Sequence, residues 1–372
     1  MKILALNPFH GGSHRAFLNG WIKGSRHQFD LETLSAHHWK WRMRQGAIHF
    51  ANKLKHAPST ETEYDLLFCT DMLNLAEFRG LAKPSLANLP AVVYFHENQL
   101  TYPVQEERER DLHFAFSNFL TAHSADAIWF NSGYHQHDFL TALENWLPRM
   151  PEGKSLLPLI PALWEKSEVH SPGINIPECE PAPRSPSQKP LHLVWVSRWE
   201  HDKGPEIFFE ALRLLQQRGT SFQVSVLGES YAQTPEIFAE ARNWLKKEIM
   251  HWGYLEDYTE YQNVLRTADM VVSTANHEFF GIAVLEAVAA GCRPLVPDAL
   301  AYPEVLPSDR SFFHDNQPGT LANILEDYAG QLTENRHVDD QQRVTWYQFV
   351  RKYGWNSCTG RMDAALERIL RS

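Results

Sequence analysis

The stretch "HEFFGIAVLEAVAAGCRP", His277–Pro294, decides the fold of the second half of the chain. It follows the short apolar run "DMVVST", and from Ile282 its small and apolar residues have the pattern of a buried helix. Glu278 precedes this helix and Glu286 lies eight residues later, so the helical repeat returns the second carboxylate to roughly the side of the first. A strand leading into a helix with polar groups at its start is typical of a βα unit, whose ligand lies at the strand's carboxyl end.

Similar short β-rich runs alternate with helical stretches along the whole chain. The first half contains "KILALN", "YDLLFCT", "AVVYFHEN" and "DAIWFNS", and the second half contains "LHLVWVS", "FQVSVLG", "DMVVST" and "CRPLVP". Runs this short and apolar are typical of parallel strands that helices cover on both faces. The sequence therefore predicts an α/β protein with two doubly wound parallel-sheet, Rossmann-like domains that face each other across a cleft.

A proline-rich stretch with little apolar material, "NIPECEPAPRSPSQKPL", separates the two halves. We place the N-terminal domain at residues 1–175, the linker at 176–190 and the C-terminal domain at 191–350. The remaining segment, 351–372, is predicted to be helical after a break near Gly354. Packing of this last helix against the N-terminal domain is one arrangement open to it.

Bulk composition narrows the class of protein. A chain of 372 residues is long for a single core, and its formal charge of −10 disfavours a general nucleic-acid or anionic-membrane binder, although a local basic patch can override this. The N-terminal "MKILALNPF" has the pattern of a first strand rather than a signal peptide. The four cysteines are scattered without metal-ligand spacing, so we expect a cytoplasmic protein with reduced thiols and no bound metal.

The loop after "LHLVWVS" carries two cations, Arg198 and Lys203, just before a helix start marked by Gly204. A guanidinium and an ammonium at a strand end have the chemistry to bind two linked phosphates. The alternative is a pair of surface cations that bond to Glu200 and Asp202 within their own loop.

The helix start after "DMVVST" offers a second anion-binding feature. Four backbone N–H groups are expected to be free there, those of Phe279, Phe280, Gly281 and Ile282. Glu278 at the same position can accept hydrogen bonds from sugar hydroxyls, and Glu286 can accept them from the adjacent hydroxyls of a ribose. The alternative is that Glu286 is merely solvated, although its apolar neighbours argue against this.

This pattern, Glu-x₇-Glu enclosing Phe-Gly and preceded by Arg-x₄-Lys-Gly, resembles the retaining glycosyltransferases of family 4, which have the GT-B fold. The resemblance implies that Arg198 and Lys203 stabilise the departing nucleotide diphosphate. It also implies that Glu286 holds the ribose and that Glu278 contacts the transferred sugar. The C-terminal domain would then bind the nucleotide sugar, and the N-terminal domain the acceptor.

Two further features follow from the same resemblance. Gly253 and Tyr254 follow "IMHW" and fall where such proteins contact the base through the backbone. There is no Asp-x-Asp motif, so we expect metal-independent transfer without a cofactor, in which cations and helix dipoles stabilise the leaving group.

The acceptor side is expected in the first half. "NPFHGGSHRAF" contains a bend at Gly11 and Gly12, followed by Ser13 as a candidate helix cap and by His14. It resembles the Gly-rich acceptor-side loop of GT-B enzymes, although a purely structural glycine turn explains it equally well.

"YFHENQLTYP" places three polar side chains, His96, Glu97 and Asn98, at a strand end. In family 4 a histidine at this position lies beside the reacting sugar. By that resemblance His96 would hydrogen-bond a sugar hydroxyl or stabilise an oxocarbenium-like transition state. The alternative is a structural histidine.

Longer strings point to a narrower group. "FHGGSH", "YFHENQLTYPV", "RWEHDKGPE" and "HEFFGIAVLEAV" together resemble the tRNA-queuosine α-mannosyltransferases. The resemblance implies transfer of mannose from GDP-mannose to the cyclopentene diol of queuosine in the anticodon of aspartate tRNA (tRNA-Asp).

A basic and aromatic segment supports an RNA acceptor independently. No acidic side chain occurs from Thr33 to Thr60, and the stretch "HHWKWRMR" interleaves tryptophans with Lys40, Arg42 and Arg44. Cations can track phosphates while aromatic rings stack on unpaired bases. A surface helix whose tryptophans are core, or a helix lying on a membrane, fits the same pattern.

Other functions remain open at this stage. They are a family 4 glycosyltransferase acting on a lipid or polysaccharide, a GT-B epimerase or phosphorylase, and a catalytically silent RNA-binding protein. The favoured interpretation has a nucleotide sugar and tRNA as partners and no stable membrane association.

Overall fold

The computed structural model of the chain describes residues 1–55, 63–104, 110–182, 190–230, 234–334 and 336–371. The chain divides into two compact units, each built on one six-stranded sheet. Unit 1 comprises Met1–Gly173 and Trp355–Ser372, and unit 2 comprises Ile174–Gly354.

The sheet of unit 1 is parallel throughout, with strand order β2-β1-β3-β4-β5-β6. Its strands are β1 Lys2–His10, β2 Gln28–Ser35, β3 Leu66–Thr70, β4 Ala91–Phe95, β5 Ala127–Phe130 and β6 Ser167–Val169. Its first helices are α1 Gly12–Gly24, α2 Trp39–Lys55, α3 Leu75–Leu81, α4 Pro84–Ala87, α5 Leu112–Ser124, α6 Gly133–Trp146 and α7 Ile160–Glu165. Buried apolar side chains cover both faces of the sheet, as expected where helices lie on each side.

The sheet of unit 2 is also parallel, with strand order β12-β11-β10-β7-β8-β9. Its strands are β7 Leu191–Val196, β8 Phe222–Leu227, β9 Ile249–Gly253, β10 Met270–Val272, β11 Arg293–Pro297 and β12 Phe313–His314. Its helices are α8 Pro205–Gln217, α9 Ile237–Trp244, α10 Tyr258–Thr267, α11 Ile282–Ala289, α12 Tyr302–Val305, α13 Pro318–Glu334 and α14 Arg336–Val350. Both units are therefore doubly wound α/β structures, as the sequence predicts.

All eight runs that the sequence identifies as strands are interior strands of the two sheets. The four strands that it misses are the edges of those sheets, β2 and β6 in unit 1 and β9 and β12 in unit 2. None of the four is buried along its length, whereas β3, β4 and β5 are buried at every residue. An edge strand that is not buried on both faces needs no continuous apolar run, so it lacks the pattern that marks the interior strands.

The C-terminal helix α15, Trp355–Ile369, belongs to unit 1 and follows a break at Gly354. It packs on α1, where the Asp363 carboxylate accepts a 2.8 Å hydrogen bond from the Trp21 indole. Met362 and Leu366 of α15 join the same buried cluster as Trp21. Because a buried carboxylate needs a hydrogen-bond donor, this bond fixes the position of α15 against α1.

Residues 176–182 of the expected linker lie along α14 of unit 2. The Tyr347 hydroxyl donates to the Pro177 carbonyl at 2.8 Å, and Arg343 donates to the Ala182 carbonyl at 3.1 Å. Residues 183–189 of that linker lie outside the described part of the chain, as do residues 56–60 of the basic segment. Over the ranges that the structure describes, no helix is long and apolar enough to cross a membrane.

Candidate active site

Lys203 lies at the end of the loop that follows β7, with its ammonium in a buried ionic cluster. The side chain is only 9% exposed, and Nζ donates to the His277 carbonyl at 2.7 Å. Carboxylate oxygens of Asp202 and Glu278 lie 3.1 and 3.5 Å from the same atom. Burial alone would lower the pKa of Lys203, but the two carboxylates outweigh it and raise the pKa, so the group stays a cation.

Gly204 brings this loop against the end of β10. Its φ of +60° is left-handed, and a Cβ there would lie 2.1 Å from the Thr274 carbonyl oxygen. The Thr274 hydroxyl lies 2.8 Å from the Gly204 carbonyl, and Asn276 N–H donates to the Asp202 carbonyl at 2.8 Å. Only glycine can adopt this backbone conformation and also approach the Thr274 carbonyl so closely, which explains why a glycine follows Lys203.

Glu278 occupies the start of α11 and links the helix to Lys203. One carboxylate oxygen accepts from Phe280 N–H at 3.2 Å and from Gly281 N–H at 3.0 Å, while the other faces Lys203. Burial raises the pKa of Glu278, but Lys203 and the two amides more than offset this and lower it. The expectation that the amides of Phe280 and Gly281 are free is therefore wrong, because the Glu278 side chain folds back and takes them.

Glu286 lies further along α11 and has a different partner. Its carboxylate accepts from the Tyr261 hydroxyl of α10 at 3.1 Å. Burial raises the pKa of Glu286 to about 7, against the lowering effect of hydrogen bonds from Tyr261 and the Asn175 backbone. The alternative of a merely solvated Glu286 is not what the structure shows. Tyr261 gives no signal in the sequence, because it lies within a helix.

Arg198, Gly253 and Tyr254 lie in more open surroundings. The Arg198 guanidinium is 44% exposed and pairs with Glu200 at 3.2 Å, so each cation of this loop does bond to a carboxylate of its own loop. Gly253 ends β9 with φ +116° and accepts from Gly228 N–H at 3.2 Å, and the Tyr254 side chain is 65% exposed. The structure thus brings Lys203 and Glu278 together at the start of α11 and gives Arg198 and Glu286 separate partners.

The glycine loop of unit 1 begins helix α1 differently from expectation. Gly11 is the N-cap residue, so Ser13 is an exposed residue in the first turn and the prediction that it caps the helix is wrong. A Cβ on Gly11 would lie 2.3 Å from the Ala36 Cβ, and Gly12 has φ +48°. Steric closeness therefore explains Gly11 and backbone conformation explains Gly12.

His14 and His96 meet at the strand ends of unit 1. Their ring centroids are 4.0 Å apart, and Phe17 packs edge-on against His96 at 5.1 Å. The backbone of His96 is held on both sides, by Asp71, which accepts from its N–H at 3.0 Å, and by Asn131, which donates to its carbonyl at 2.9 Å. Burial, together with His14 and His135, lowers the pKa of His96 well below its usual value, so its imidazole is neutral at pH 7.

Asp71 is a buried residue of this region that we did not single out from the sequence. It follows β3 directly, and burial and the Glu97 carboxylate raise its pKa well above the usual value. Asn118 of α5 supports the same loop, since it donates to the Asp71 carbonyl at 2.9 Å and accepts from Gln99 N–H at 2.8 Å. Like His96, Asp71 follows directly after a strand, and ligands of parallel sheets bind at the carboxyl ends of the strands. The same reasoning therefore selects both residues.

Glu97 and Asn98 shape the loop after β4. The Glu97 carboxylate accepts from the Gln99 amide at 3.1 Å. The fully buried Asn98 side chain accepts from the N–H groups of Leu100 and Thr101 at 3.1 and 2.9 Å. These bonds give Asn98 a structural part in closing the turn.

The basic and aromatic segment forms α2. Trp39 is half-buried and packs against Phe114, while the Trp41 side chain is 66% exposed, so one tryptophan joins the core and the other does not. Lys40 and Arg44 are exposed. Arg42 donates to both the carbonyl and the hydroxyl of Ser35 at 2.9 Å, so it anchors α2 to β2.

Over the described part of the chain, metal-binding side chains do not cluster. Among the residues that the structure describes, no three His, Cys, Asp or Glu side chains are grouped so that they could hold a metal ion.

Two family models match consecutive parts of the chain. Residues 2–174 match the model for the N-terminal region of tRNA-queuosine α-mannosyltransferase, and residues 180–346 match the model for glycosyl transferases group 1. The two matches agree with the division into two units.

Among related proteins, the tRNA-queuosine α-mannosyltransferase of Drosophila melanogaster is 36% identical over 351 residues, covering 91% of this chain and 90% of that protein. A GDP-mannose-dependent α-(1-6)-phosphatidylinositol dimannoside mannosyltransferase of Mycobacterium tuberculosis is 25% identical over 157 residues, covering 41% of this chain and 40% of that protein. The first match spans both units.

Solved structures establish the fold. Sucrose-phosphate synthase of Thermosynechococcus elongatus superposes with a TM-score of 0.72 at 14% identity, covering all of both chains. HepE of Anabaena, solved in complex with UDP, superposes with a TM-score of 0.68 at 16% identity, covering 99% of this chain and 100% of that chain. The fold is GT-B, and with the extended match to the Drosophila enzyme the chain belongs to the tRNA-queuosine α-mannosyltransferase family of glycosyltransferases.

Proposed function

We propose that this protein transfers mannose from GDP-mannose, with retention of anomeric configuration, to the cyclopentene diol of queuosine in the anticodon of tRNA-Asp. The observation that carries the proposal is the buried Lys203 ammonium, held against the Glu278 carboxylate at the start of α11. A fixed cation at this strand end is suited to the negative charge of a departing nucleoside diphosphate.

The name of one relative supports GDP-mannose as the donor. The Mycobacterium tuberculosis relative is named as GDP-mannose-dependent, and its match covers 41% of this chain. Unit 2 holds the residues for such a donor: Glu286 to accept from ribose hydroxyls, and Lys203 with Arg198 to bind the diphosphate.

Bond breaking moves negative charge onto the β-phosphate as the bond from the anomeric carbon to the phosphate oxygen lengthens. Lys203 opposes that charge without reorganising, because His277, Asp202 and Glu278 already fix its position. Glu278 uses its oxygens for Lys203 and two amides, but a carboxylate has about four acceptor sites, so it can still accept from a sugar hydroxyl.

His96 is proposed to lie beside the reacting sugar. Its lowered pKa leaves the imidazole neutral, so it does not repel an oxocarbenium-like transition state and can hydrogen-bond a hydroxyl. The departing phosphate accepts the acceptor's proton on the same face, and no protein base is assigned.

We expect transfer to be independent of a divalent metal, since Lys203 and Arg198 supply positive charge at the diphosphate. Treatment with EDTA should leave the rate unchanged. A rate restored only by Mg²⁺ or Mn²⁺ would contradict this part of the proposal.

The deciding experiment is mass spectrometry of nucleosides from queuosine-containing tRNA after incubation with the protein. With GDP-mannose we expect a mass gain of one hexose on queuosine, and none with UDP-glucose or with tRNA lacking queuosine. Labelling of a lipid or polysaccharide instead would favour a different family 4 activity, and tRNA binding without any transfer would favour a silent RNA-binding protein.

We place this activity in the cytoplasm, where tRNA takes part in translation. Fractionation of cells that express the protein should recover it in the cytosolic fraction, and recovery with membranes would contradict this placement.

A further inference from the structure

We propose that a cavity in unit 1 binds one unpaired base of the RNA acceptor, next to the loop that carries His96. This inference rests on the proposed function, because it names how the same acceptor is held. The cavity has a volume of about 420 Å³, within the range of ligand pockets of roughly 300–1,000 Å³. Its walls come from the start of α2, from the loop after β4 and from the residues that precede α5.

The walls of the cavity combine aromatic surface with positive charge. Trp39 and Tyr102 both line it, and Trp39 is held in place by Phe114, with ring centroids 5.2 Å apart. Lys40 also lines the cavity, with its ammonium 5.6 Å from the Trp39 ring centroid. Aromatic rings stack on bases of any sequence, and nearby cations offset the phosphates that accompany them.

Arg110 fixes the shape of the opposite wall. One of its guanidinium nitrogens donates to the carbonyls of Leu100 and Tyr102, both at 2.8 Å. The one acid at the described rim, Asp111, caps α5 by accepting from His113 N–H at 3.1 Å, so its charge is directed at a helix start. Among the described lining residues the two cations, Lys40 and Arg110, outnumber the one acid, on a chain whose formal charge is −10.

Gln99 connects the cavity to the candidate catalytic loop. Its side chain lines the cavity and donates to Glu97, which is the residue after His96. Its backbone is held by the buried Asn118. A base in the cavity would therefore belong to a nucleotide close to the one that receives the sugar.

The exposed face of α2 continues from the cavity. Trp41, Arg44 and Ile48 are spaced at three and seven residues, which places them along one side of the helix, and all three are exposed. Trp41 and Arg44 place one aromatic and one cationic group on this side of the helix, which suits a single-stranded loop, whereas a lipid surface would favour a continuous apolar face.

The test compares Trp39→Ala with Trp39→Phe and with Trp164→Ala. Trp164 is the matched control, since it is also a half-buried tryptophan of unit 1, on α7, and does not line the cavity. Mannosyl transfer is measured on queuosine-containing tRNA and on free queuosine nucleoside, with GDP-mannose as donor.

We expect Trp39→Ala to raise the KM for tRNA about tenfold, with kcat and the rate on free nucleoside unchanged. Trp39→Phe should restore most of the loss, and Trp164→Ala should leave the KM for tRNA unchanged. Anisotropy of a labelled anticodon stem-loop should show the same order of affinities without any turnover.

Failure of this inference is distinguishable from failure of the proposed function. A wild-type protein that modifies no tRNA would refute the function. An active wild type whose tRNA KM and stem-loop affinity are unchanged by Trp39→Ala would refute the base-binding cavity. The base-binding cavity would also be refuted if Trp39→Ala lost binding to anionic-lipid vesicles but retained binding to the stem-loop. That result would assign the surface to a membrane.

Discussion

The polar residues at the strand ends of the two units differ in how burial affects their charge. In unit 2, Lys203 is a buried cation held by Asp202 and Glu278, so the site is ionic before any ligand arrives. In unit 1, burial leaves His96 neutral and raises the pKa of Asp71. The difference matches the two substrates of the proposed reaction, because a diphosphate brings charge and a sugar or acceptor hydroxyl does not.

The largest expected effect comes from removing the central cation of unit 2. Lys203→Met keeps much of the side-chain volume but removes the positive charge, and we expect kcat/KM to fall about 100- to 1,000-fold. Arg218→Ala is the control, since it removes a surface cation of unit 2 that pairs with Glu326. A rate close to wild type for Lys203→Met, in a protein with an unchanged circular dichroism spectrum, would remove Lys203 from the mechanism.

The second prediction tests the close approach that positions Lys203. Gly204→Ala places a Cβ against the Thr274 carbonyl, whereas Gly219→Ala has the same left-handed strain, at φ +77°, but open space. We expect Gly219→Ala to cost roughly 1–2 kcal/mol of unfolding free energy from backbone strain. Gly204→Ala should cost about 1–3 kcal/mol more from the clash.

Urea unfolding of the two glycine variants measures both costs. Equal losses of stability would mean that the loop relaxes around the added methyl group and that the approach to Thr274 is not tight.

The third prediction concerns Glu286, whose pKa is raised to about 7 by burial. Below that pH the carboxyl is protonated and accepts fewer hydrogen bonds, so the KM for donor should rise as the pH falls through about 7. Glu286→Gln should weaken donor binding at pH 8 about tenfold and make the KM independent of pH over this range.

Tyr261→Phe sharpens the third prediction. It removes the hydrogen bond that lowers the pKa of Glu286, so the midpoint of the KM profile should move to higher pH. A profile that is the same in wild type, Glu286→Gln and Tyr261→Phe would assign the titration to another group.

The smallest expected effect is in unit 1. Asp71→Asn keeps an acceptor for His96 N–H. The free energy of unfolding of this variant at pH 7 should be at most about 0.5 kcal/mol below that of the wild type, or it should exceed the wild-type value. The sign follows from the raised pKa: the folded state binds the proton more tightly than the unfolded state, so ionisation of Asp71 as the pH rises destabilises the wild type and not the variant.

Asp71→Ala provides the contrast, because it leaves His96 N–H without this acceptor and should cost about 1–3 kcal/mol. Thermal melts at pH 6 and pH 8 measure both variants. A large loss of activity in Asp71→Asn alone would mean that an ionised carboxylate is required and that the contrast between the two units does not hold.

Sequence reasoning located these sites unevenly. It found Lys203, Glu278 and Glu286, because Lys203 precedes a glycine at a helix start and the two glutamates interrupt an otherwise small and apolar stretch. It left out Asp71, and Tyr261 and Asn118 gave no signal, because their partners lie 19 to 47 residues away along the chain. It also expected free amides at Phe280 and Gly281, which the folded-back Glu278 side chain occupies.

The amino-acid sequence alone determined the eight interior strands, the α/β class and the loops that carry the polar residues. A strand buried on both faces of a sheet requires a continuous apolar run, and such a run is visible in the sequence. Only the tertiary structure decided the four edge strands, the placement of α15 in unit 1 and the pairing of Lys203 with Glu278. These features depend on which neighbour each segment meets in space, and a contact between distant residues leaves no local pattern in the chain.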